Sequence, residues 1–388
     1  MPGYMRGALT GLRTAAMQML ASGRRAAMHA IVHIGAPKAG SSAIQYAIGL
    51  NAEQIAAQGI YPYRPSVGPG DRALSTRFRP GQKNLPPDVR LKLKDAQNAQ
   101  EWSQRCWDEL AETLRRDRPE LTLISSEDLF GLPSPGEFIA ALRELFDEIT
   151  LIAYVRDPVA QFLSQANQQI RGGVRFRDLK TPLDYRYYAW TNLEGYLDAV
   201  GRGRIVVRNI DSANLRDGDV VTDFFEQVSA IAGRGIAPER MPPRANESLC
   251  AAATVWLMSV NETFERFGKG DEPILRLRHD LIARLRRAPE LAGLPMLKLT
   301  DPELAGLIRH NAREMTGWLN DTFLEGQIPL DTGTPPARMP EAAEMRARMR
   351  EWMLGHLTPE ALDAVLRVAM PLTQEDAAAG VKRKAKRG

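Results

Sequence analysis

The sequence predicts an α/β fold: a three-layer sandwich with a central, mainly parallel sheet, followed by a C-terminal helical region. Three observations carry this. Short, nearly continuous apolar runs alternate with helical patterns over the first half of the chain, which implies βαβ units and a sheet covered on both faces. The first run passes through a glycine-bounded loop directly into a helix. From about residue 246 onward, Leu, Met and Trp recur at 3–4 spacing, as at Trp256, Met258 and Phe264 and again at Trp318, Leu319 and Phe323.

In chain order, His29–Gly35 (HAIVHIG) reads as a buried strand, residues 36–42 as a loop, and the run from Ser42 as one helix stopping at Gly59. Residues 61–100, rich in Pro, Gly, Arg and Gln, read as a long excursion on the sheet's carboxyl edge. Leu121–Ser125 and Ile149–Val155 are two further strands, with Pro135–Phe146 helical between them, and Arg204–Arg208 is a fourth. Residues 171–190 are dense in Arg and Tyr, and 328–342 are Pro-rich and read as a linker. The sequence shows no internal repeat.

Composition narrows the function classes. With 388 residues, two to three domains are expected, or one large α/β domain with a helical addition. Hydrophobic residues at 44% and charged residues at 25% exclude collagen-like and wholly disordered chains. No stretch of about 18 apolar residues occurs, so no integral membrane segment is expected. Cys106 and Cys250 form no CxxC, which fits a reducing compartment and a cytoplasmic location.

The formal net charge of +4 has a local origin. Arg6, Arg13, Arg24 and Arg25 lie in residues 1–28, and Lys382, Arg383, Lys384, Lys386 and Arg387 lie in the last eight positions; without these nine cations the body carries about −5. A nucleic-acid partner is therefore not expected. The composition of 1–28 resembles that of a transit peptide, and a start at Met28 fits equally. The expected organisation is a flexible extension over 1–28, an α/β core over 29–250, a helical region over 251–370 that packs on the core, and a basic tail over 371–388.

Gly35-Ala36-Pro37-Lys38-Ala39-Gly40-Ser41-Ser42 stands between a strand and a helix, where backbone amides and the positive helix end can cradle a phosphate. It is not the ATP-binding pattern, which places lysine directly after the second glycine; Ser41 stands there instead. A second pattern is independent. Arg156-Asp157-Pro158 follows the strand Ile149–Val155, and Ser164 comes eight residues after Arg156. An arginine fork and a serine hydroxyl suit a phosphate, although Arg-Asp-Pro also marks an ordinary capped helix start. Glu127 and Asp128 follow the strand at Leu121–Ser125, at the carboxyl edge where open α/β sheets bind ligands. His33 lies within the first strand and reads as a packed strand histidine, while His279, His310 and His356 read as surface residues. No metal-ligand spacing is present.

These motifs resemble those of the sulfotransferases that use 3′-phosphoadenosine-5′-phosphosulfate (PAPS) and release adenosine 3′,5′-bisphosphate (PAP). The family's loop reads P-K-x-G-[ST]-[ST], and Pro37, Lys38, Ala39, Gly40, Ser41 and Ser42 match it position by position. The resemblance extends over about 29–250, including Gly59-Ile60-Tyr61-Pro62, Val206–Arg208, Gly218–Phe224 and 244–248. It implies a P-loop NTPase-like fold. It also implies that Lys38 contacts the bridging oxygen and 5′-phosphate, that Ser41, Ser42 and the loop amides hold that phosphate, and that Arg156 and Ser164 hold the 3′-phosphate. A glutamate base is implied as well: Glu127, with Asp128 as its rival. The expected acceptor is a hydroxyl, with a carbohydrate as first choice because the 171–190 stretch offers rings and arginines; no metal is required. Two alternatives remain at this point: a P-loop kinase or NTPase, and a non-catalytic adaptor acting through its basic tails.

Overall fold

The structure is a computed structural model that describes residues 27–66, 72–187, 189–242, 248–264, 272–336 and 338–370. The expected extension over 1–28, apart from its last two residues, and the basic tail over 371–388 lie outside the described residues. The chain groups into two compact units. One comprises the residues up to Asp157 with Tyr187–Pro243 and Glu314–Asp331; the other comprises Pro158–Arg186, Arg244–Arg313 and the residues from Thr332.

The first unit holds a five-stranded, wholly parallel sheet. Its strands are β1 (His29–Ile34), β2 (Ile60–Pro62), β3 (Leu121–Ser126), β4 (Glu148–Val155) and β5 (Ile205–Asn209), in the spatial order β2-β3-β1-β4-β5. The register pairs Ile31 with Leu123 on one side and with Thr150 on the other. Ala30, Ile31, Val32 and Ile34 are fully buried, as the unbroken apolar run requires of a strand covered on both faces. The expected α/β class is borne out, and β1 sits at the centre. The chain leaves β1 toward β2 and leaves β4 toward β5, so the carboxyl ends of these two neighbours form a topological switch point.

Two local readings are corrected. The helix expected to run unbroken to Gly59 is two, α1 (Ser41–Leu50) and α2 (Ala52–Ala57). Buried Asn51 parts them: its Nδ2 donates to Ala47 O and Arg240 O, and its Oδ1 accepts from Arg240 N, all at 2.8 Å. The 61–100 excursion carries structure of its own. β2 is a three-residue edge strand, the position where Pro62 is tolerated in a sheet; helices α3 (Ala73–Thr76) and α4 (Pro87–Leu93) follow. A long helix, α5 (Ala96–Asp117), starts where Asp95 Oδ1 accepts from Asn98 N at 2.8 Å, and buries Trp102, Cys106, Leu110 and Leu114 on one face. A capping aspartate and 3–4 apolar spacing were readable there. The other sheet edge is covered by a side chain: Gln327 Oε1 accepts from Asn209 N at 2.9 Å and its Nε2 donates to Val207 O at 3.1 Å. Helices α6 (Pro135–Arg143), α8 (Ala189–Val200) and α9 (Val220–Ala232) complete this unit, α7 (Pro158–Arg171) lying between α6 and α8 in sequence.

The second unit is helical. It contains α7, α10 (Ala251–Thr263), α11 (Glu272–Arg287), α12 (Pro289–Ala292), the first half of α13 (Pro302–Phe323), α14 (Ala342–Leu354) and α15 (Pro359–Ala369). Buried Arg278 closes the carboxyl end of α7, donating to Ile170 O at 2.6 Å and Arg171 O at 2.8 Å. Tyr185 is buried on Phe162 with its hydroxyl on Gln161 Oε1 at 2.6 Å. In the first unit Tyr187 is also fully buried. Both rings are core, so neither offers a face to a sugar. His279 is exposed as expected; His310 and His356 are half-buried, and His356 Nδ1 lies 3.0 Å from Trp352 O.

Candidate active site

The loop after β1 is held open by glycines and by one strained lysine. Lys38 has φ +65° and Gly40 φ +85°. The left-handed conformation is costly for a residue with a Cβ, and strain of this kind concentrates at functional sites. A Cβ at Gly40 would lie 2.9 Å from Val220 Cγ2, and one at Gly35 would lie 2.8 Å from Ser41 Cβ and 3.3 Å from Glu127 Cα. The loop is thus packed on the start of α9 and on the residue that follows β3, and neither glycine has room for a side chain.

Around this turn Pro37 and Ser42 are exposed, Lys38 and Gly40 half-buried, Ala39 and Ser41 buried. The two serines differ. Ser41 Oγ donates to Ala36 O at 3.1 Å, so its proton braces the loop; the Ser42 hydroxyl is at the surface. α1 has no acidic residue in its first turn, and the amides of Ser41 and Ser42 have no intrahelical acceptor. A helix start of this kind favours an anion.

Arg156, at the end of β4, reaches the same loop. Its Nη1 donates to Lys38 O at 3.0 Å, and its own carbonyl accepts from the buried Tyr187 hydroxyl at 2.8 Å. Burial lowers the Arg156 pKa, and Asp157 opposes the shift; the guanidinium stays charged, since its ordinary value is far above neutrality. The structure therefore brings Lys38 and Arg156 together, 118 positions apart in sequence. Ser164 lies half-buried on α7, in the helical unit.

Glu127 opens a 3₁₀ turn directly after β3 and is half-buried. Its rival Asp128 forms an ion pair with Arg72, 3.1 Å from Oδ2 to Nη1. Arg79 Nη2 bonds Asp128 O at 2.7 Å and Gly131 O at 2.9 Å, pinning the turn. Asp128 is thus tied into this turn by Arg72, and the Cα of Glu127 lies against Gly35 of the loop. Among the described residues no group of three or more His, Cys, Asp or Glu side chains could hold a metal ion, and no helix is long and apolar enough to cross a membrane.

Sequence reasoning missed two side-chain networks under the loop. Asp223 on α9 is fully buried and accepts from Arg208 Nη2 at 2.7 Å, Arg208 Nε at 3.1 Å, the Tyr154 hydroxyl at 2.7 Å and Arg216 N at 3.2 Å. No spacing rule links Tyr154, Arg208 and Asp223; only the stacking of α9 on β4 and β5 does. The second network is at His33, which packs edge-on against Tyr154 and Phe224 and lies, by its Nδ1, 2.8 Å from Ser125 Oγ. Nε2 has no partner among the described residues. We assign the proton to Nδ1, where it is used, because a bare ring nitrogen is cheaper to bury than an unpaired N–H.

Burial drives the His33 pKa from 6.5 down to about 3. Its folded value is depressed, so its stabilising contribution is complete above pH 6.5 and is lost as pH falls toward 3, because the unfolded chain takes up a proton the folded protein refuses. Between pH 6.5 and about pH 5 this amounts to about 2 kcal/mol. Urea unfolding at both pH values should show the loss in the wild type and its absence in His33→Asn. The same pH slope in both proteins would mean that His33 does not carry it.

No protein-family model matches the chain, and neither does any curated protein sequence. Among solved structures, a sulfotransferase from Alicyclobacillus acidocaldarius is similar at 16% identity, covering 63% of this chain and 98% of its own, with a TM-score of 0.34. A structure from the PezAT chromosomal toxin-antitoxin system of Streptococcus pneumoniae is similar at 13% identity, covering 72% and 97%, with a TM-score of 0.28.

Proposed function

We propose that the chain is a PAPS-dependent sulfotransferase acting on a hydroxyl. The observation that supports this best is the hydrogen bond from Arg156 to the Lys38 carbonyl, which puts the cations of two independent motifs at one loop. Two cations, an exposed serine and an acid-free helix start form a donor set suited to a nucleotide with two separate anionic groups, so the residues present fit PAPS.

The donor supplies the sulfuryl group when bound. Pro37, Ala39 and Gly40 shape the loop, Ser42 and the loop amides bind the 5′-phosphate, and Ser41 holds the loop's form. Arg156 binds the 3′-phosphate; the same role for Ser164 rests on its spacing from Arg156 in sequence. Lys38 stabilises the charge that grows on the departing phosphate oxygen, an interaction stronger in the transition state than before it. Glu127 takes the proton from the attacking hydroxyl. In the kinase or NTPase alternative a carboxylate after β3 would hold magnesium; the ion pair of Asp128 with Arg72 speaks against that use of Asp128.

Calorimetry with PAP against AMP tests the reading. Loss of charge-assisted bonds to Arg156 should weaken AMP by about 1.5–3 kcal/mol, roughly 10–150-fold. Equal affinities, or stronger thermal stabilisation by Mg-ATP than by PAP, would overturn it in favour of the alternative.

A further inference from the structure

A cavity of about 220 Å³ lies in the first unit between α1, the residues that follow β2, and the carboxyl half of β3. Ile48 and Ile124 give it apolar walls, while Gln45, Tyr63, Arg64 and Ser125 bring polar groups. Its size is below the ~300 Å³ at which pockets for drug-sized ligands begin, which limits an occupant to about one ring.

Its position is defined by the site already described. Gln45 lies one helical turn beyond Ser41 and Ser42 on α1, and Ser125 is two residues before Glu127. The His33 Nδ1–H donates to Ser125 Oγ in the assigned tautomer, so the Ser125 hydroxyl proton is left to donate to a ligand oxygen.

Among the described residues of the lining, Arg64 carries the one formal charge. The guanidinium leans on α1 where Gly49 leaves room: a Cβ there would be 3.3 Å from Arg64 Nη2. Nη1 donates to Gly49 O at 3.3 Å, and among the described residues no carboxylate pairs with it. An arginine held by one long bond, over a cavity that no acid lines among the described residues, has donors to offer a planar anion.

Resting on the sulfotransferase reading, we infer that this cavity takes the acceptor, and that the acceptor is a single-ring hydroxyl compound bearing a carboxylate, which Arg64 binds. The hydroxyl end then faces the side of the cavity that leads to Glu127, and the carboxylate the side marked by Arg64.

The test is titration calorimetry on the full chain saturated with PAP, using matched probes: glucuronate against methyl glucoside, and 4-hydroxybenzoate against 4-hydroxybenzamide. At least one acid should bind about tenfold or more tightly than its neutral partner, and Arg64→Gln should erase the difference while leaving the affinity for PAP unchanged. The inference is overturned if neither acid outbinds its partner, or if the preference survives in Arg64→Gln. Failure of PAP to bind strikes the sulfotransferase reading instead, and the same pairs titrated without PAP then decide the fate of the cavity.

Discussion

Replacing Lys38 by alanine is expected to lower kcat for sulfuryl transfer by about 10²–10³, with a much smaller loss of PAP affinity. The backbone is not the reason. Lysine and alanine both carry a Cβ, so the strain at φ +65° is the same in either protein, and the bond from Arg156 to the carbonyl of residue 38 does not involve the side chain. In the proposed reaction the loop amides, Ser42 and Arg156 would continue to hold the nucleotide. What would be lost is the cation beside the departing oxygen, whose charge is greatest at the transition state. Single-turnover rates at saturating PAPS, set beside calorimetric affinities for PAP, separate the two quantities. A variant that binds PAP far more weakly yet keeps a normal kcat at saturation would make Lys38 a binding residue only.

The largest loss of stability is expected from Asp223→Ala. The carboxylate is fully buried and is the shared acceptor of Arg208, the Tyr154 hydroxyl and the Arg216 amide. Removing it leaves a guanidinium with 19% exposure and a buried phenol without their acceptor. Breaking one side of a buried ion pair costs about 3–5 kcal/mol, because the remaining charge is uncompensated. Asp223→Asn keeps an acceptor for Tyr154 and should lose less. α9 also supplies Val220, on which Gly40 packs, so the alanine variant should bind PAP more weakly even at denaturant concentrations where it remains folded. Urea midpoints for the three proteins check the order; an alanine variant as stable as the wild type would contradict it.

Much of the sheet was legible because a strand buried on both faces leaves an unmistakable trace. HAIVHI, LTLIS and ITLIAYV are short, apolar and β-branched, and each ends within one residue of its expected boundary. β2 was not, since three residues at an edge, one of them proline, carry no periodicity. Asn51 reads as an ordinary helical residue until its partner Arg240 is known, and that pairing spans 189 positions. The density of Tyr in 171–190 was read as a ring-lined surface, but composition cannot tell a stacking platform from a core: Tyr185 and Tyr187 are buried.

The chemistry at the loop divides in the same way. The sequence by itself determined the residue types: a lysine and two serines bounded by glycines after a strand, an arginine at the end of another strand, and two adjacent carboxylates after a third. Their order along the chain sets which ends of which strands carry them, because a parallel sheet puts all its carboxyl ends on one edge. Only the tertiary structure decided which of these groups meet. The strand order sets β1 between β3 and β4, so the residue after β4 reaches the loop after β1 and Arg156 joins Lys38; Arg72, from the excursion, pairs with Asp128, while the Cα of Glu127 lies against Gly35; Ala36 takes the proton of Ser41 but not that of Ser42. Hydrogen bonds and ion pairs form over about 3 Å, whereas the partners here are separated by up to 118 positions of chain, so no local pattern can encode the choice.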